Sequence, residues 1–333
     1  MTKVAIIADT HWGVRGDSVP FMDMTKRFLD DVFFPTLHDR GISDIVHLGD
    51  LVDRRKQISY LTSGRLRRDF LDVLQRRGLR MHAIAGNHDC YYKNTNQINA
   101  LTELVDGNYP NVQCYIDPEE IELCGYSVLL IPWICDENRN RSLTMLKEST
   151  ANVCMGHLEI SGFEMYRGSV STHGESRSLF DKFSATFSGH FHHRSSDGSI
   201  TYVGSHGEFT WSDHGDPRGF HIFDLKTQEL EFIPNPYTMF KKVWYNDRDR
   251  TLEEVLGMDF GECSGKYIKL IVQEKTNPYW FDMVCERLDK VGPLGMQIVE
   301  DHLNLNLEND EDIVNEAEST LDVFKKHLNQ IQA

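Results

Sequence analysis

Five short β-rich runs in the first 190 residues each end in residue types that bind metals. The run at residues 4–8 ends in Asp-Thr-His, and the others end in Gly-Asp-Leu-Val-Asp, Gly-Asn-His-Asp, Gly-His and Gly-His-Phe-His. The candidate ligands supplied in this way are Asp9, His11, Asp50, Asn87, His157, His190 and His192. Because the carboxyl ends of strands in an open α/β sheet meet at one crevice, we expect these side chains to lie together.

The chemistry of these side chains predicts two metal ions. Carboxylate and amide oxygens combined with imidazoles suit Mn²⁺, Fe²⁺ or Zn²⁺, and the lack of a thiolate argues against a structural zinc site. Seven ligands are too many for one ion that keeps an open position, so they favour two ions that share one carboxylate. Two ions about 3.5–4 Å apart stabilise the attacking and leaving oxygens of a phosphoryl transfer. The pattern therefore predicts a two-metal phosphoesterase.

The local backbone at the ligands can also be predicted. Asp9 and His11 are two residues apart, as are His190 and His192, and such pairs point the same way if the chain is extended. A glycine before most of the ligand motifs lets the backbone turn where a Cβ would interfere. We therefore expect extended ligand pairs at strand ends.

The surrounding pattern predicts an α/β fold. The five ligand-bearing runs lie at residues 4–8, 45–48, 81–85, 152–155 and 185–188, and a sixth β-rich run lies at residues 128–131. Helical patterns lie at residues 21–37 and 61–74. Strands that alternate with helices indicate a layered α/β architecture. After residue 195 the pattern changes to hairpins.

Composition changes mark three segments, which we predict as domains at residues 1–236, 237–300 and 301–333. Prolines at positions 234 and 236 indicate a linker, after which residues 266–272 are predicted as a strand and residues 279–288 as a helix. Residues 300–322 are acidic. One apolar helical stripe then runs to the end of the chain and comprises Ile313, Ala317, Leu321, Phe324, Leu328 and Ile331.

The overall composition is that of a globular protein with a net charge of −16. We expect a soluble cytoplasmic protein of a bacterium or a phage-infected host, because the sequence contains neither a signal-peptide pattern nor an apolar run long enough to span a bilayer. The seven cysteines contain no Cys-x-x-Cys pair, which favours free thiols. The strong negative charge argues against a surface that holds DNA unaided.

Taken together, the motifs Asp9-x-His11, Gly49-Asp50-x-x-Asp53, Gly86-Asn87-His88, Gly156-His157 and Gly189-His190-x-His192 resemble those of the calcineurin-like metallophosphoesterases. Within that superfamily the chain resembles SbcD-type nuclease subunits of recombination-repair complexes, including those of T-even-type phages. The resemblance implies a four-layer sandwich of two mixed sheets flanked by helices. It also implies a small α+β capping domain and a C-terminal helical segment that docks on a partner.

The same resemblance implies roles for the site residues. One metal would be held by Asp9, His11, Asp50 and His192, and the other by Asp50, Asn87, His157 and His190. His88 would face the scissile phosphate and help to protonate the leaving oxygen. Family members use Mn²⁺ (with Mg²⁺, Fe²⁺ or Zn²⁺ as alternatives here), act as 3′-to-5′ exonucleases on duplex DNA and endonucleases on single strands, and serve in double-strand-break repair, recombination and replication.

Asp53 departs from the pattern of many nucleases of this family, which have a histidine there that is associated with exonuclease activity. The departure leaves the balance of exonuclease and endonuclease activity open. Asp53 is instead a candidate for a residue that contacts a metal ligand and orients it without binding the metal itself.

DNA contact is expected from two sources. Nine basic residues lie between positions 54 and 80, and our candidates for phosphate contact are Arg54, Arg55, Lys56, Arg65 and Arg68, with an ordinary solvated helix face as the alternative. The resemblance also implies an SbcC-type, SMC-like ABC ATPase partner that supplies much of the DNA surface, and a homodimer formed through helices of the nuclease domain.

Three further aromatic residues, Trp12, Tyr91 and Tyr92, lie beside the metal motifs. They are candidates for stacking on bases, with burial in the core as the alternative.

Two other functions compete with the nuclease hypothesis. One is a phosphomonoesterase or phosphodiesterase that acts on small molecules with the same two metals. The other is a non-catalytic scaffold that keeps the fold. The predicted C-terminal docking helix favours the nuclease over the first, and the intact ligand set with His88 argues against the second.

Overall fold

The computed structural model of the chain describes residues 2–300. In this part of the chain the strands are, in order, β1 (Lys3–Ile7), β2 (Asp44–His47), β3 (Arg80–Ile84), β4 (Val112–Tyr115), β5 (Glu119–Leu123), β6 (Tyr126–Ile131), β7 (Val153–Gly156), β8 (Glu164–Tyr166), β9 (Ser169–Val170), β10 (Ala185–Ser188), β11 (Ser195–Ser196), β12 (Ile200–Tyr202), β13 (Gly219–Asp224), β14 (Leu230–Pro234), β15 (Phe240–Asn246), β16 (Tyr267–Glu274) and β17 (Gly295–Val299).

The helices of the same part are α1 (Val14–Asp17, one distorted turn), α2 (Val19–Phe28), α3 (Phe34–Asp39), α4 (Tyr60–Leu66), α5 (Asp72–Arg76), α6 (Ala100–Leu104), α7 (Arg139–Glu148), α8 (Leu252–Leu256) and α9 (Pro278–Lys290). A π-helical turn, Leu29–Phe33, joins α2 to α3, and another, Arg67–Leu71, joins α4 to α5. The two helical patterns predicted from the sequence are therefore each continuous, with a wider turn in the middle.

Two six-stranded mixed sheets form the larger part of the molecule. The first has the strand order β14-β13-β1-β2-β3-β4, and the second has the order β11-β12-β10-β7-β6-β5. The central strands of each sheet run parallel, with β1, β2, β3 and β4 in one and β6, β7, β10 and β12 in the other. Parallel strands bring their carboxyl ends to one edge, which is where the candidate ligands follow.

The two sheets pack face to face and carry helices on their outer faces. The core between them is built from both, for example from Ile6 and Val46 on one side and Met155 and Phe187 on the other. On the outer face of the first sheet, α2 to α5 bury large aromatic side chains such as Phe70. On the outer face of the second, α7 and the loops around it form a third core. The predicted four-layer α/β sandwich is confirmed.

A small α+β unit follows β14, which is an edge strand of the first sheet. Its three parallel strands have the order β15-β16-β17, and α8 and α9 pack with them around Tyr245, Leu270 and Val284. The strand and the helix predicted after the linker correspond to β16 and α9. Within residues 2–300, no helix is long and apolar enough to cross a bilayer. The predicted C-terminal helix at residues 301–333 lies outside the described residues.

The segment predicted as a linker is anchored at both ends. Pro234 ends β14, and the buried side chain of Asn235 donates to the His206 carbonyl oxygen at 2.7 Å. The buried carboxylate of Glu208 accepts hydrogen bonds from the backbone N–H groups of Met239 and Phe240, at 2.7 and 3.1 Å. The start of β15 is therefore tied to the larger part of the molecule by charge-assisted hydrogen bonds.

His221 on β13 predicts how stability depends on pH. Its ring is buried with no hydrogen-bond partner in the described structure, and burial, aided by the nearby Arg194, lowers its pKa to about 3. In the unfolded chain this histidine has a pKa near 6.5. Between pH 6.5 and pH 3 the unfolded chain therefore binds a proton at this position, whereas the native ring stays neutral. Native stability contributed by the neutral ring is present above pH 6.5 and is lost as the pH falls through this window.

We expect His221→Phe to reduce the fall in unfolding free energy between pH 7 and pH 5 by about 2 kcal/mol, because the substitution removes this proton uptake. Urea titrations at the two pH values measure the effect. His38→Phe, a change at an exposed histidine, is the matched control. An unchanged fall in the His221 variant would show that its ring does not contribute to acid sensitivity.

Candidate metal centre

The carboxyl ends of strands from both sheets meet at one point. Within the first sheet, the Asp9 N–H donates to the Gly49 carbonyl oxygen at 3.0 Å, which joins the segments that follow β1 and β2. Between the sheets, the His190 N–H after β10 lies 3.0 and 3.2 Å from the two carboxylate oxygens of Asp9. The edge predicted from the motif order is therefore formed by both sheets together.

The backbone at the ligands differs from our expectation. Asp9, His11, Asp50 and His190 have positive φ values of 52°, 42°, 54° and 83°. The expectation that each ligand pair lies on extended chain is therefore wrong. Left-handed conformation is unfavourable for residues with a Cβ and persists where surrounding contacts impose it, as at functional sites. Here it turns each side chain sharply at the strand end into the space between the sheets.

Two of the motif glycines are required by close approach. Gly49 has a φ of 90°, and a Cβ there would lie 2.5 Å from the Nδ1 atom of His157. A Cβ at Gly86 would lie 2.2 Å from Oδ1 of Asp50. Both distances are far below van der Waals contact, so the ligand cluster can be this compact only with glycine at these positions.

The candidate ligands form two groups. The ligand atoms of Asp9, His11 and His192 lie within 4.8 Å of one another, and so do those of Asp50, His157 and His190. In the first group, the Nε2 atoms of His11 and His192 face each other at 3.0 Å. This division matches the two metal sites that the resemblance implies.

Asn87 joins the second group, and Asp50 lies between the two groups. The Asn87 side-chain oxygen lies 2.9 Å from ring nitrogens of both His157 and His190. Oδ2 of Asp50 lies 3.7 Å from Nε2 of His11 and 3.4 Å from Nε2 of His157, between the two groups. Carboxylate and amide oxygens with imidazole nitrogens, buried and converging, form a donor set that fits two divalent ions with Asp50 shared.

His88 and Asp53 lie beside the first group. The His88 backbone N–H donates to Oδ1 of Asp50 at 2.7 Å, and its Nδ1 lies 2.5 Å from the Asp53 carbonyl oxygen. The Asp53 carboxylate lies 3.3 Å from Nδ1 of His11, on the side of the ring away from Asp50. That position suits a residue that orients the His11 ring through the nitrogen not used for a ligand.

Burial and neighbouring charges set the protonation of the cluster. Burial alone would raise the pKa of Asp50, but His157 and His88 hold it well below its usual range. Burial opposes protonation of His11 and His157, yet nearby carboxylates raise the pKa of each to about 9. Cations that bind here must displace these protons, so we expect their binding to release protons to solvent.

The pKa values of the other titratable ligands, Asp9, His190 and His192, shift in the opposite directions. Burial raises the pKa of Asp9 to about 6, and burial together with neighbouring imidazoles lowers the pKa of His190 and His192 to about 3. These two histidines are therefore neutral at physiological pH, which is the form that binds metals.

Apart from Asp53, the residues that support the metal ligands were not identified from the sequence. Arg218 is buried, donates through Nη1 to the His192 carbonyl oxygen and to Oγ of Ser205, and through Nη2 to the carboxylates of Asp213 and Asp216. It lies 26 residues from His192 in a region without a motif, so no local signal marks it.

Asp89 is a second supporting residue. Its buried carboxylate accepts the N–H groups of Val52 and Gly86, at 3.1 and 2.8 Å, which joins the loops that carry Asp50 and Asn87. Burial raises its pKa to about 7. The motif contains this residue, but its spacing alone did not assign it a role.

The basic residues chosen as DNA contacts differ in their surroundings. Arg65 is paired with Asp23 and Asp69, both at 2.6 Å, and Arg68 with Asp69 at 2.9 Å. Arg54 lies 3.5 Å from Asp17. Lys56 is exposed, with Nζ 5.6 Å from the Tyr91 ring centre, and Arg55 has a buried Nη1 with no hydrogen-bond partner in the described structure. Positive charge is therefore least compensated at positions 55 and 56.

The three aromatic candidates separate clearly. Trp12 is 2% exposed and packs in the core on the outer face of the first sheet. It is therefore a core residue and not a candidate for stacking on bases. Tyr91 and Tyr92 are 36% and 50% exposed. Trp133, which was not among the candidates for stacking, lies against the ligands with its ring centre 5.1 Å from that of His190.

We predict that Arg218→Met lowers the affinity for one metal ion. The substitution removes the donors that hold the His192 carbonyl, so we expect the ion on the Asp9–His11–His192 side to bind about 10–100-fold more weakly. Titration with Mn²⁺, followed by calorimetry, should show one weakened site and one that changes little. Arg218→Lys, which keeps the charge, should lose less.

Arg167→Met is the matched control for this prediction, because Arg167 is exposed and contacts the same Asp216 at 3.3 Å. It should bind both ions like the unchanged chain. Equal Mn²⁺ affinity in the Arg218 and Arg167 variants would show that Arg218 does not position His192.

Comparison with known proteins is consistent with this geometry. Residues 2–194 match the family described as Calcineurin-like phosphoesterase. Exonuclease subunit 1 of Enterobacteria phage T4 is 33% identical over 276 residues, which cover 82% of this chain and 77% of that protein. A subunit of the nuclease SbcCD from Staphylococcus saprophyticus is 30% identical over 123 residues, which cover 33% of this chain and 32% of that protein.

Among solved structures, an archaeal phosphodiesterase aligns over 70% of this chain and 99% of its own, with a TM-score of 0.33 and 13% identity. That similarity is too low to support a conclusion. The family match covers more than half of the chain, and the phage T4 relative matches most of its length. The chain therefore belongs to the calcineurin-like phosphoesterase family and is a phosphodiester hydrolase.

Proposed function

We propose that this chain is the Mn²⁺-dependent DNA nuclease subunit of a repair and recombination complex. It acts as a 3′-to-5′ exonuclease on duplex DNA and as an endonuclease on single strands. The observation that carries the proposal is the convergence of two metal-ligand groups around Asp50, in a chain whose relatives are named as an exonuclease subunit and a nuclease subunit. Its setting is double-strand-break repair, recombination and replication.

Each candidate ligand has a defined role in this proposal. Asp9, His11 and His192 hold one ion, Asn87, His157 and His190 hold the other, and the Asp50 carboxylate is shared. Two ions in these positions supply positive charge and Lewis acidity to a phosphodiester. Mn²⁺ is the first choice for this mixture of oxygen and imidazole donors, with Mg²⁺, Fe²⁺ and Zn²⁺ as alternatives.

His88 is the group that moves a proton. Its Nδ1 lies 2.5 Å from the Asp53 carbonyl oxygen, and a carbonyl can only accept, so Nδ1 carries a hydrogen. That contact fixes the tautomer and leaves Nε2 as the atom that takes up and gives a proton. In its protonated form, His88 stabilises charge on the phosphate and protonates the leaving oxygen. His88 is only half-buried, so a substrate can reach it.

Asp53 acts on the first group through the ring of His11, on the side of the ring away from Asp50. Its carboxylate helps to raise the pKa of His11, which favours a ring that is fixed in orientation and strongly electron-donating. Because Asp53 stands where many related nucleases have a histidine, we assign it to positioning and not to proton transfer.

DNA reaches the site along the segment after Asp53. Arg55 and Lys56 supply the main phosphate contacts, and Arg54, which lies 3.5 Å from Asp17, adds to them. Arg65 and Arg68 are held more closely by carboxylates, at 2.6 to 2.9 Å. The three proposed domains divide the work, with the nuclease centre in residues 1–236, a capping unit in residues 237–300 and a docking segment in residues 301–333. A homodimer through the nuclease domain would use the α2–α3 and α4–α5 segments, where Tyr60 and Leu61 are exposed.

The nuclease proposal predicts cleavage of a 3′-labelled DNA duplex in Mn²⁺ that stops when the metal is removed by a chelator. We expect His88→Ala to lower the rate by about 10²–10⁴-fold, because it removes the proton donor, while Mn²⁺ content stays the same. His38→Ala, at an exposed histidine, is the matched control and should cleave normally.

Other outcomes of this assay have distinct meanings. Hydrolysis of a small chromogenic phosphodiester without DNA cleavage, even with the ATPase present, would replace the proposal with a small-molecule phosphodiesterase or phosphomonoesterase. Failure to bind any divalent metal would support the non-catalytic scaffold. A His88→Ala variant that cleaves at the normal rate would remove His88 from the mechanism.

The partner proposal rests on the apolar stripe from Ile313 to Ile331, and we expect that stripe to dock on the coiled coil of an SMC-like ABC ATPase. Leu321→Asp combined with Phe324→Asp should abolish co-purification with the ATPase of the same genome, while cleavage of a small phosphodiester continues. Ser319→Asp combined with Lys326→Asp, on the opposite side of the predicted helix, is the matched control. Co-purification of both double variants would contradict the docking role.

A further inference from the structure

The loop that follows the His88 motif exposes two neighbouring tyrosines. Tyr91 and Tyr92 are 36% and 50% exposed, and their ring centres are 4.7 Å apart in an edge-to-face arrangement. Tyr91 is three residues from His88, so its Cα lies within about 11 Å of the His88 Cα. Large exposed aromatic rings beside a catalytic centre need an explanation, because burial would normally stabilise the protein.

The loop holds these rings in fixed positions. At its base the Tyr91 N–H donates to the Ile98 carbonyl oxygen at 2.9 Å. The buried side chain of Asn96 donates to the carbonyl oxygens of Ile116 and Trp133, at 3.1 and 2.8 Å. The Glu137 N–H donates to the Asn94 carbonyl oxygen at 3.1 Å. Because these hydrogen bonds hold the backbone of the loop in place, ordering it on binding costs little conformational entropy.

A cavity opens beside the rings. It has a volume of about 600 Å³ and is lined by Tyr92, Asn94, Thr95, Gln97 and Ile98 on one side and by Asp136 and Glu137 on the other. We call it the tyrosine pocket, with Tyr91 at its rim. It is wide open to solvent, so it offers a surface to one side of a bound group and does not enclose it. Amide and hydroxyl groups beside an aromatic ring are suited to a flat group with hydrogen-bonding edges.

Charge around the tyrosine pocket indicates which part of a nucleic acid fits. Asp136 and Glu137 would repel a phosphate placed inside it. Lys56 lies outside, with Nζ 5.6 Å from the Tyr91 ring centre, and Lys93 is exposed on the same loop. The acidic side therefore favours a neutral base in the pocket, and the basic side favours the backbone of the strand at its rim.

The tyrosine pocket is also connected to the metal centre. The loop at residues 133–138 forms its far wall and begins with Trp133, whose ring centre lies 5.1 Å from that of His190 and 6.1 Å from that of His157. The same short loop therefore contacts the candidate metal ligands at Trp133 and lines the tyrosine pocket at Asp136 and Glu137.

We propose that the tyrosine pocket binds an unpaired nucleobase of a single DNA strand whose phosphate backbone lies at the metal centre. This inference rests on the proposed nuclease function and deepens it. Stacking on Tyr91 and Tyr92 selects a strand with an accessible base, such as a single strand or a frayed end, over a fully paired duplex. The selection is independent of base identity, because every base has a face that can stack.

The test is binding of a labelled single-stranded oligonucleotide to the full chain in Mn²⁺, in a His88→Ala parent, with oligonucleotide integrity checked on a gel. Tyr91→Ala combined with Tyr92→Ala should weaken binding by about fivefold or more, whereas Tyr91→Phe combined with Tyr92→Phe should stay within about twofold. Tyr279→Ala, a change at a tyrosine that is 69% exposed on α9, is the matched control.

An abasic strand separates the base from the phosphates. Oligonucleotides with one abasic position, moved along the strand, should bind the parent about fivefold more weakly at one position, and the tyrosine-to-alanine variant should lose nothing further there. Blunt duplex should bind the parent and both tyrosine variants equally. Equal single-strand affinity in parent and alanine variant, or an abasic effect that persists in the variant, would overturn the proposal.

Cleavage assays keep this result distinct from the nuclease proposal. In a chain with His88 intact, the tyrosine-to-alanine variant should hydrolyse a small chromogenic phosphodiester at the normal rate. If the unchanged chain cleaves DNA and the tyrosine variants bind single strands normally, only the pocket proposal fails. If the unchanged chain cleaves no DNA even with the ATPase present, the nuclease proposal fails, and the single-strand binding of the tyrosine variants still decides on the pocket proposal.

Discussion

The buried carboxylate of Asp50 is the constraint on which the site depends. It lies where the two sheets meet, and because it is buried its charge must be balanced by neighbouring groups. The balance comes from His157 and His11, with the His88 N–H on the second oxygen. Each of these groups follows a different strand, so the strands must all end at the same level of the molecule. Left-handed backbone at Asp9, His11 and Asp50, and the missing Cβ at Gly49 and Gly86, are consequences of that convergence.

The sequence allowed the ligand set to be predicted because its signal is local. A strand pattern, a glycine and a ligand follow one another within a few residues, and this order recurs along the chain. Strand ends also imply a common edge, so the four-layer arrangement and the meeting of the motifs could be inferred. The backbone conformation at Asp9 and His11 could not, since it results from hydrogen bonds to residues about 40 positions away, such as Asp9 N–H to Gly49.

Supporting residues outside the motifs, unlike Asp53, were not predictable for the same reason. Arg218 acts on His192 through a backbone carbonyl, a contact that any residue type at position 192 could provide. Nothing in the spacing of residues 213–218 marks it. Exposure was equally hidden: Trp12 and Tyr91 both adjoin metal motifs, yet one lies in the core and the other at the surface. The choice depends on which side of each loop the helices cover, and that is a tertiary property.

A net charge of −16 and the polyanionic substrate that we propose are compatible when charge acts locally. Screening limits the reach of surface charge to about 8 Å at physiological salt, so distant acid contributes little at the centre. Two divalent ions would offset the carboxylates of Asp9 and Asp50 where the phosphate binds. Beyond the ions, base stacking needs no positive charge at all. If the proposed function holds, a site whose five candidate basic residues are mostly paired with carboxylates gains more from aromatic contacts than a strongly basic site would, and Tyr91 and Tyr92 are exposed on the loop after His88.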